Sequence, residues 1–240
     1  MLAYRTWLNG ALVGGALLFY LMGRRRGLPL ALLLDLVLGG ILAGLLGARA
    51  GYVALNWAYF RDHLGEAIRL WQGGLNGQIG LLVGLLATGP VCALHRTRWL
   101  PILDLLAVPL ALGSGLAWLA CDGAGCAWGR PVYPADGLLW RLSADLPDLY
   151  GLQEPRVAVQ RLAAGGNGLL ALLLWWTSER PGRRFALYLV GTGGLFLILG
   201  GWRGDPMPAL GGWRLDQLLG LAMLLAGLAL GWGSLRRGSR

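Results

Sequence analysis

A handful of residues in this 240-residue chain carry groups that could do chemistry. Arg49, Arg130 and Arg203 offer guanidinium forks, and Asp205 stands two positions beyond Arg203. Asn76, Gln78 and Gln160 offer neutral amides. Gly73 and Gly74 come just before the first two amides, in LWQGGLNGQIGLLVGLL. A guanidinium grips a phosphate through two parallel hydrogen bonds. An amide donates and accepts without changing charge, and paired glycines let backbone come close to a ligand. No residue of the set is a nucleophile, so it suits holding a phosphate-bearing headgroup rather than attacking one. Cys92, Cys121 and Cys126 do not make a metal site, because no His or third Cys stands near the latter two. They read as small buried side chains, with a Cys121–Cys126 disulfide on an oxidising side as the alternative.

The elements that must position these groups are membrane helices. The chain is 56% hydrophobic and 14% charged, with a mean hydropathy of +0.56, and a soluble domain carries roughly 25% charged residues. Apolar runs of about 17–22 residues recur, close to the roughly 20 that cross a bilayer. They predict seven spans, over residues 8–22, 30–48, 75–94, 100–121, 157–177, 185–201 and 215–234. The first does not read as a removable signal peptide, since no small-residue cleavage site follows it. The net charge of +9 invites a nucleic-acid reading, but its distribution argues for a membrane. There is no lysine, and eleven of the 21 basic residues lie in four short segments. These are Arg24–Arg26; Arg96 and Arg98; Arg180, Arg183 and Arg184; and Arg236, Arg237 and Arg240, with Glu179 the one acid among them. They follow every second span, the pattern of cytoplasmic loops. The expectation is an all-α membrane protein. It has seven transmembrane helices, an external N-terminus, a cytoplasmic C-terminus and one polytopic domain over 1–240. A small outer cap over 122–156 lies between spans 4 and 5.

On that topology the polar groups gather at the outer face. Arg49 closes span 2, and Tyr52, Trp57 and Tyr59 form an interfacial belt before a short amphipathic segment lying in the membrane plane. Asn76 and Gln78 open span 3. Arg130 sits in the Gly-, Pro- and Trp-rich cap. Gln160 and Asn167 are seven apart and share one face of span 5, where Arg161 is free to snorkel outward. Arg203 and Asp205 precede span 7, which opens with Arg214, Asp216 and Gln217; an arginine beside an acid at a membrane edge also reads as a structural ion pair. Asp35 and Asp104 lie toward the inner half, where nearby arginines can pair with them. Two acids are too few for an ion path, which disfavours a transporter.

These motifs, in order, resemble those of the prolipoprotein diacylglyceryl transferase family. WQGGLNGQIGLLVG resembles its W-x-G-G-L/M-S-x-H-G-G-L-x-G segment, GARAGYV its G-A-R-x-G-Y-V, and GAGCAWGRP its G-C-x-Y-G-x-P loop. PRVAVQRL resembles H-P-x-Q-L-Y-E, Arg203-Gly204-Asp205-Pro206 the final F-R-x-P/D loop, and Arg5-Thr6-Trp7 the opening R-x-Y-G. The resemblance implies transfer of the diacylglyceryl group of phosphatidylglycerol to the thiol of a prolipoprotein lipobox peptide. Glycerol phosphate leaves, and no metal or cofactor takes part. Arg49, Gly73, Gly74, Gly125, Gly129, Gln160, Arg203 and Asp205 carry over from it. A working transferase would use Gln78 and Arg203 catalytically and contact substrate through Arg49, Gly73, Gly74, Asn76, Arg130, Gln160 and Asp205. Membrane lipids are the surroundings, and nucleic acid is not a partner. Two departures stand out. The family's histidine falls on Gln78, which cannot usefully take a proton, and an arginine of the family's loop falls on Trp118. The alternative is a silent homologue that binds phospholipid or lipoprotein, or acts on a different nucleophile.

Overall fold

A computed structural model describes residues 2–148, 150–177 and 180–238, with the backbone alone at 2–3 and 234–238. Glu179 and Arg240 of the arginine-rich segments lie outside the described residues. Each predicted apolar run is helical: α1 Leu2–Arg25, α2 Leu30–Leu55, α5 Gly77–Leu94, α6 Trp99–Ala124, α8 Val159–Trp175, α9 Arg183–Gly200 and α10 Leu215–Gly238. Between them lie three one-turn helices, α3 Trp57–Phe60, α4 Leu64–Ala67 and α7 Leu138–Arg141. Two short antiparallel hairpins complete the fold, β1 Ser143–Pro147 with β2 Gln153–Val157 and β3 Ala209–Leu210 with β4 Trp213–Arg214.

Among the described residues, six helices are long and apolar enough to cross a membrane. The protein is therefore an all-α, multi-pass membrane protein. The predicted fifth span, α8, is the one that falls short. It has 17 residues, about 26 Å at the α-helical rise, and carries Gln160, Arg161 and Asn167. Several helices outrun their apolar runs, among them α1, α2 and α6. α2 continues past Arg49 to Leu55, so Arg49 sits inside the helix rather than closing it. The helix continues because the guanidinium is satisfied by neighbouring chain instead of by headgroups. The aromatic belt carries the one-turn α3, and the segment expected to follow it as one amphipathic piece breaks into α4 and a 3-10 turn over Leu70–Gln72.

The chain divides into two compact units, Tyr20–Leu103 and Met1–Phe19 with Asp104–Arg240. In the first, α2 and α5 pack backbone to backbone. A Cβ on Gly80 would lie 2.8 Å from the Gly44 carbonyl oxygen and 2.8 Å from the Ala48 Cβ. Helix association in lipid rests on such close contact, because acyl chains are as apolar as leucine. The Asp35 carboxylate accepts from the Nε2 of His95 at 2.7 Å, rather than pairing with an arginine as expected. In the second unit, Asp104 caps α9: its carboxylate accepts from the amides of Gly182 and of Phe185, the latter at 2.9 Å. Buried Val132, Val157, Val159, Ala163 and Leu199 form an apolar core there, with Trp118 and Trp202 against it.

The α2–α5 seam makes a prediction. Gly80→Ala should lower unfolding stability in detergent by about 1–3 kcal/mol, the usual cost of overpacking. Gly77→Ala, where nothing lies within 4 Å of the added methyl, should change it by less than about 0.5 kcal/mol. Equal effects would show that the seam is not close-packed.

Candidate functional site

In the unit Tyr20–Leu103 the local structure is built on Arg49, which is 6% exposed. Its Nε donates to the Ala67 carbonyl at 2.8 Å, its Nη2 to the Glu66 carbonyl, and its Nη1 to the carbonyls of Gly73 and, at 3.0 Å, Gly74. The rings of Tyr52 and Phe60 flank it, with centroids 5.9 and 5.3 Å from its central carbon. Carbonyl dipoles, not a carboxylate, offset this buried cation. The Glu66 side chain instead accepts from the Tyr59 hydroxyl at 2.9 Å, and that bond pushes the phenol pKa up. Gly73 and Gly74 have φ of +83° and +71°, which L side chains rarely adopt; this turns their carbonyls onto Arg49. A Cβ on Gly74 would sit 2.5 Å from the Tyr52 ring. The space expected to admit a ligand is filled by Tyr52 and Arg49 at Gly74, whereas a Cβ on Gly73 would meet nothing within 4 Å.

Asn76 also has a local partner. Its Oδ1 accepts from the Ile79 amide at 3.0 Å and caps α5, while its own amide donates to the Ala48 carbonyl at 2.9 Å. Gln78 follows in the first turn. Its Oε1 is buried and has no hydrogen-bond partner among the described residues.

In the other unit four charged side chains interlock. Arg203 donates through Nε and Nη2 to both oxygens of Asp205, at 2.8 and 2.5 Å, and its Nη1 lies 3.1 Å from Asp216. Arg214 reaches Asp205 at 3.2 Å and Asp216 at 3.3 Å, and also donates to the Asp205 carbonyl at 2.9 Å. Asp216 is 1% exposed. Two cations and two anions leave the quartet formally neutral. The Trp118 ring lies beside Arg203, with its centroid 5.9 Å from the guanidinium carbon.

Three remote segments converge on this quartet. Residues 128–130 run antiparallel to 202–204: the Gly204 amide donates to the Trp128 carbonyl and the Arg130 amide to the Trp202 carbonyl, each at 2.8 Å. On their other side the Val157 amide donates to the Arg130 carbonyl at 3.2 Å. Gly129 lies against the Val157 carbonyl so closely that a Cβ there would collide with it. Gln160, 1% exposed, donates through Nε2 to the Cys126 carbonyl at 2.9 Å. Its Oε1 is buried without a hydrogen-bond partner among the described residues. Asn167 is equally buried on the same helix, donating to the Ala163 carbonyl. Arg161 is exposed and binds Asp122 at 3.2 Å. Cys121 and Cys126 form a disulfide rather than packing as separate thiols. Gly125, with φ of +68°, lets α6 end and the chain double back for the second sulfur to reach the first.

Arg130, Gln160, Arg203 and Asp205 thus belong to one assembly, whereas Arg49, Gly73, Gly74, Asn76 and Gln78 belong to the other unit. The weight of Asp216 and Arg214 was underread in the sequence. The signal was there: Arg203-x-Asp205 and Arg214-x-Asp216 repeat one spacing, and each arginine bridges to the other's acid.

The quartet makes a stability prediction. Asp216→Ala would leave two half-buried guanidiniums sharing one carboxylate, which costs up to about 3–5 kcal/mol. Unfolding in detergent should register that loss, and a change under about 1 kcal/mol would show that the pairs are solvated.

Comparison with known proteins places the chain. Residues 6–232 match the family model for prolipoprotein diacylglyceryl transferase. The chain is 33% identical to the phosphatidylglycerol–prolipoprotein diacylglyceryl transferase of Bordetella avium (strain 197N), over 92% of this chain and 87% of the relative. It is 27% identical to the enzyme of that name from Cupriavidus pinatubonensis (strain JMP 134 / LMG 1197), over 98% of this chain and 88% of the relative. With its long apolar helices and bacterial relatives, the chain is a multi-pass inner-membrane protein, and it belongs to the prolipoprotein diacylglyceryl transferase family.

Proposed function

We propose that the protein moves the diacylglyceryl group of phosphatidylglycerol onto the cysteine thiol of a prolipoprotein lipobox peptide. The observation that carries this reading is the convergence of the family-like segments around Gly129–Arg130, Gln160 and Arg203–Asp205, which direct hydrogen bonds join although they lie far apart in the chain. The sulfur attacks the glyceryl carbon, the carbon–oxygen bond to phosphate breaks, and glycerol phosphate departs. The nucleophile comes with the substrate, so the protein supplies position and charge. The buried Oε1 of Gln160 is an acceptor suited to a headgroup hydroxyl. Arg203 is a positioning residue, since its charge is already offset by Asp205 and Asp216. The thiol proton passes to water or to the leaving phosphate, because Gln78 stands where the family has histidine.

Seven crossings with an external N-terminus suit this chemistry. The arginine distribution supports that orientation, and a disulfide at the end of α6 suits an oxidising compartment. On the same orientation, residues 122–156 form an outer cap on a single polytopic domain.

A second reading, a silent homologue that holds phospholipid without transferring it, is favoured by the neutral quartet and by Gln78. One experiment separates the two. The purified protein in phosphatidylglycerol nanodiscs is incubated with a lipobox peptide, and the peptide is weighed by mass spectrometry. A thioether-linked diacylglyceryl adduct is expected. Its absence, with phosphatidylglycerol still retained by the protein, would establish the silent reading instead.

A further inference from the structure

Charge accounting in the unit Met1–Phe19 with Asp104–Arg240 leaves a question. Arg203 and Arg214 are offset by Asp205 and Asp216, Arg156 by Asp148 and Glu154, and Arg161 by Asp122. A phosphate needs a cation that no carboxylate already holds. Arg5 meets that condition, as Arg130, Arg141 and Arg180 do: it is exposed and makes no ion pair or side-chain hydrogen bond among the described residues. It also borders a hollow of about 360 Å³, lined by Tyr4, Arg5, Gly123 and Ala124. Gly123 and Ala124 bring almost no side chain, so the hollow stays open. They belong to the six-residue ring that the Cys121–Cys126 disulfide closes, and the Cys126 carbonyl of that ring is the acceptor for Gln160. The hollow is therefore tied to the assembly around Arg203 by one covalent loop.

We propose that this hollow is an anion site for a phosphate ester, with the Arg5 guanidinium as its cation and the Tyr4 hydroxyl as a further donor. The inference rests on the transferase reading for its physiological ligand, the headgroup phosphate or the glycerol phosphate that leaves. The chemistry it needs is only a phosphate ester. Arg5 lies in the first turn of α1, the helix pole that favours an anion. Ala124 ends α6, the pole that disfavours one, so Arg5 rather than the ring backbone supplies the attraction.

The test measures retention, with no peptide present, of three probes by the full chain: phosphatidylglycerol, diacylglycerol and soluble glycerol phosphate. Arg5→Gln should lower retention of phosphatidylglycerol, glycerol phosphate or both at least tenfold and leave diacylglycerol unchanged. Arg5→Lys should stay within threefold of the parent. Ala124→Leu, which fills the hollow and keeps the charge, should behave as Arg5→Gln does. Loss of phosphatidylglycerol alone assigns the site to the lipid headgroup, and loss of glycerol phosphate alone assigns it to the leaving group. Unchanged retention of both phosphate probes, or an equal loss of diacylglycerol, overturns the proposal. A missing peptide adduct would count against the transferase reading and leave these retention results standing.

Discussion

Burying charge beside a bilayer is the constraint from which the rest of this architecture follows. The Arg203–Asp205–Arg214–Asp216 quartet meets it by alternating signs, so that every member touches two of the opposite kind. Removing ions from water costs several kcal/mol each, and dense pairing recovers that only when geometry is good. Here the geometry is set on both sides. The two-residue Gly211–Gly212 turn, with φ of +58° and +80°, folds β3 back on β4 and brings Arg214 to the acid of the preceding loop. Asp216 begins α10, where a carboxylate also suits the helix N-terminus. Residues 128–130 then pair with the edge of the same loop, so the stretch between α6 and α8 is anchored through the ion network.

Arg49 solves the same problem by other means. It uses peptide carbonyls, which carry partial charge and need no counter-ion of their own. That choice demands a chain path in which four carbonyls point inward at one place, and Gly73 and Gly74 make the path possible. The glycines therefore serve the arginine, and the arginine holds a stretch of chain that has little regular structure to hold it otherwise. Beyond that turn the glycines change purpose. Gly80 and Gly84 let α5 lie directly on α2. One glycine-rich run thus does two unrelated jobs, neither of which needs a ligand.

The helices were legible because hydropathy in a membrane chain is a strong signal; six of the seven predicted runs are long and apolar enough to cross a membrane, and their order came through. Their ends did not, because α2 and α6 extend wherever polar side chains find partners that hydropathy cannot register. The short hairpins were invisible: β1 and β2 are five residues each, held by Asp148 in the turn and by Arg156 across it, and no alternating apolar pattern announces them. The polar residues were found by type, and some of their partners went unread. Asn76 is a helix cap and Asp104 another, since an amide or acid near a helix start satisfies backbone donors before it meets anything else. The grouping of Gln160 with Arg130 and Arg203 depends on a carbonyl contributed by Cys126, and a backbone acceptor has no signature in residue type.

The covalent ring at the end of α6 has a bearing on how the chain matures. Its two sulfurs come from positions five apart, so they meet without any search across the molecule. The third thiol, Cys92, is buried within α5 in the other unit, which leaves little opportunity for a mismatched bond. Because both sulfurs lie in one short stretch, the bond needs no residue of α8, α9 or α10 to form. The position of the carbonyl that receives Gln160 is thus restrained by local chain alone, independently of the helix that reaches for it.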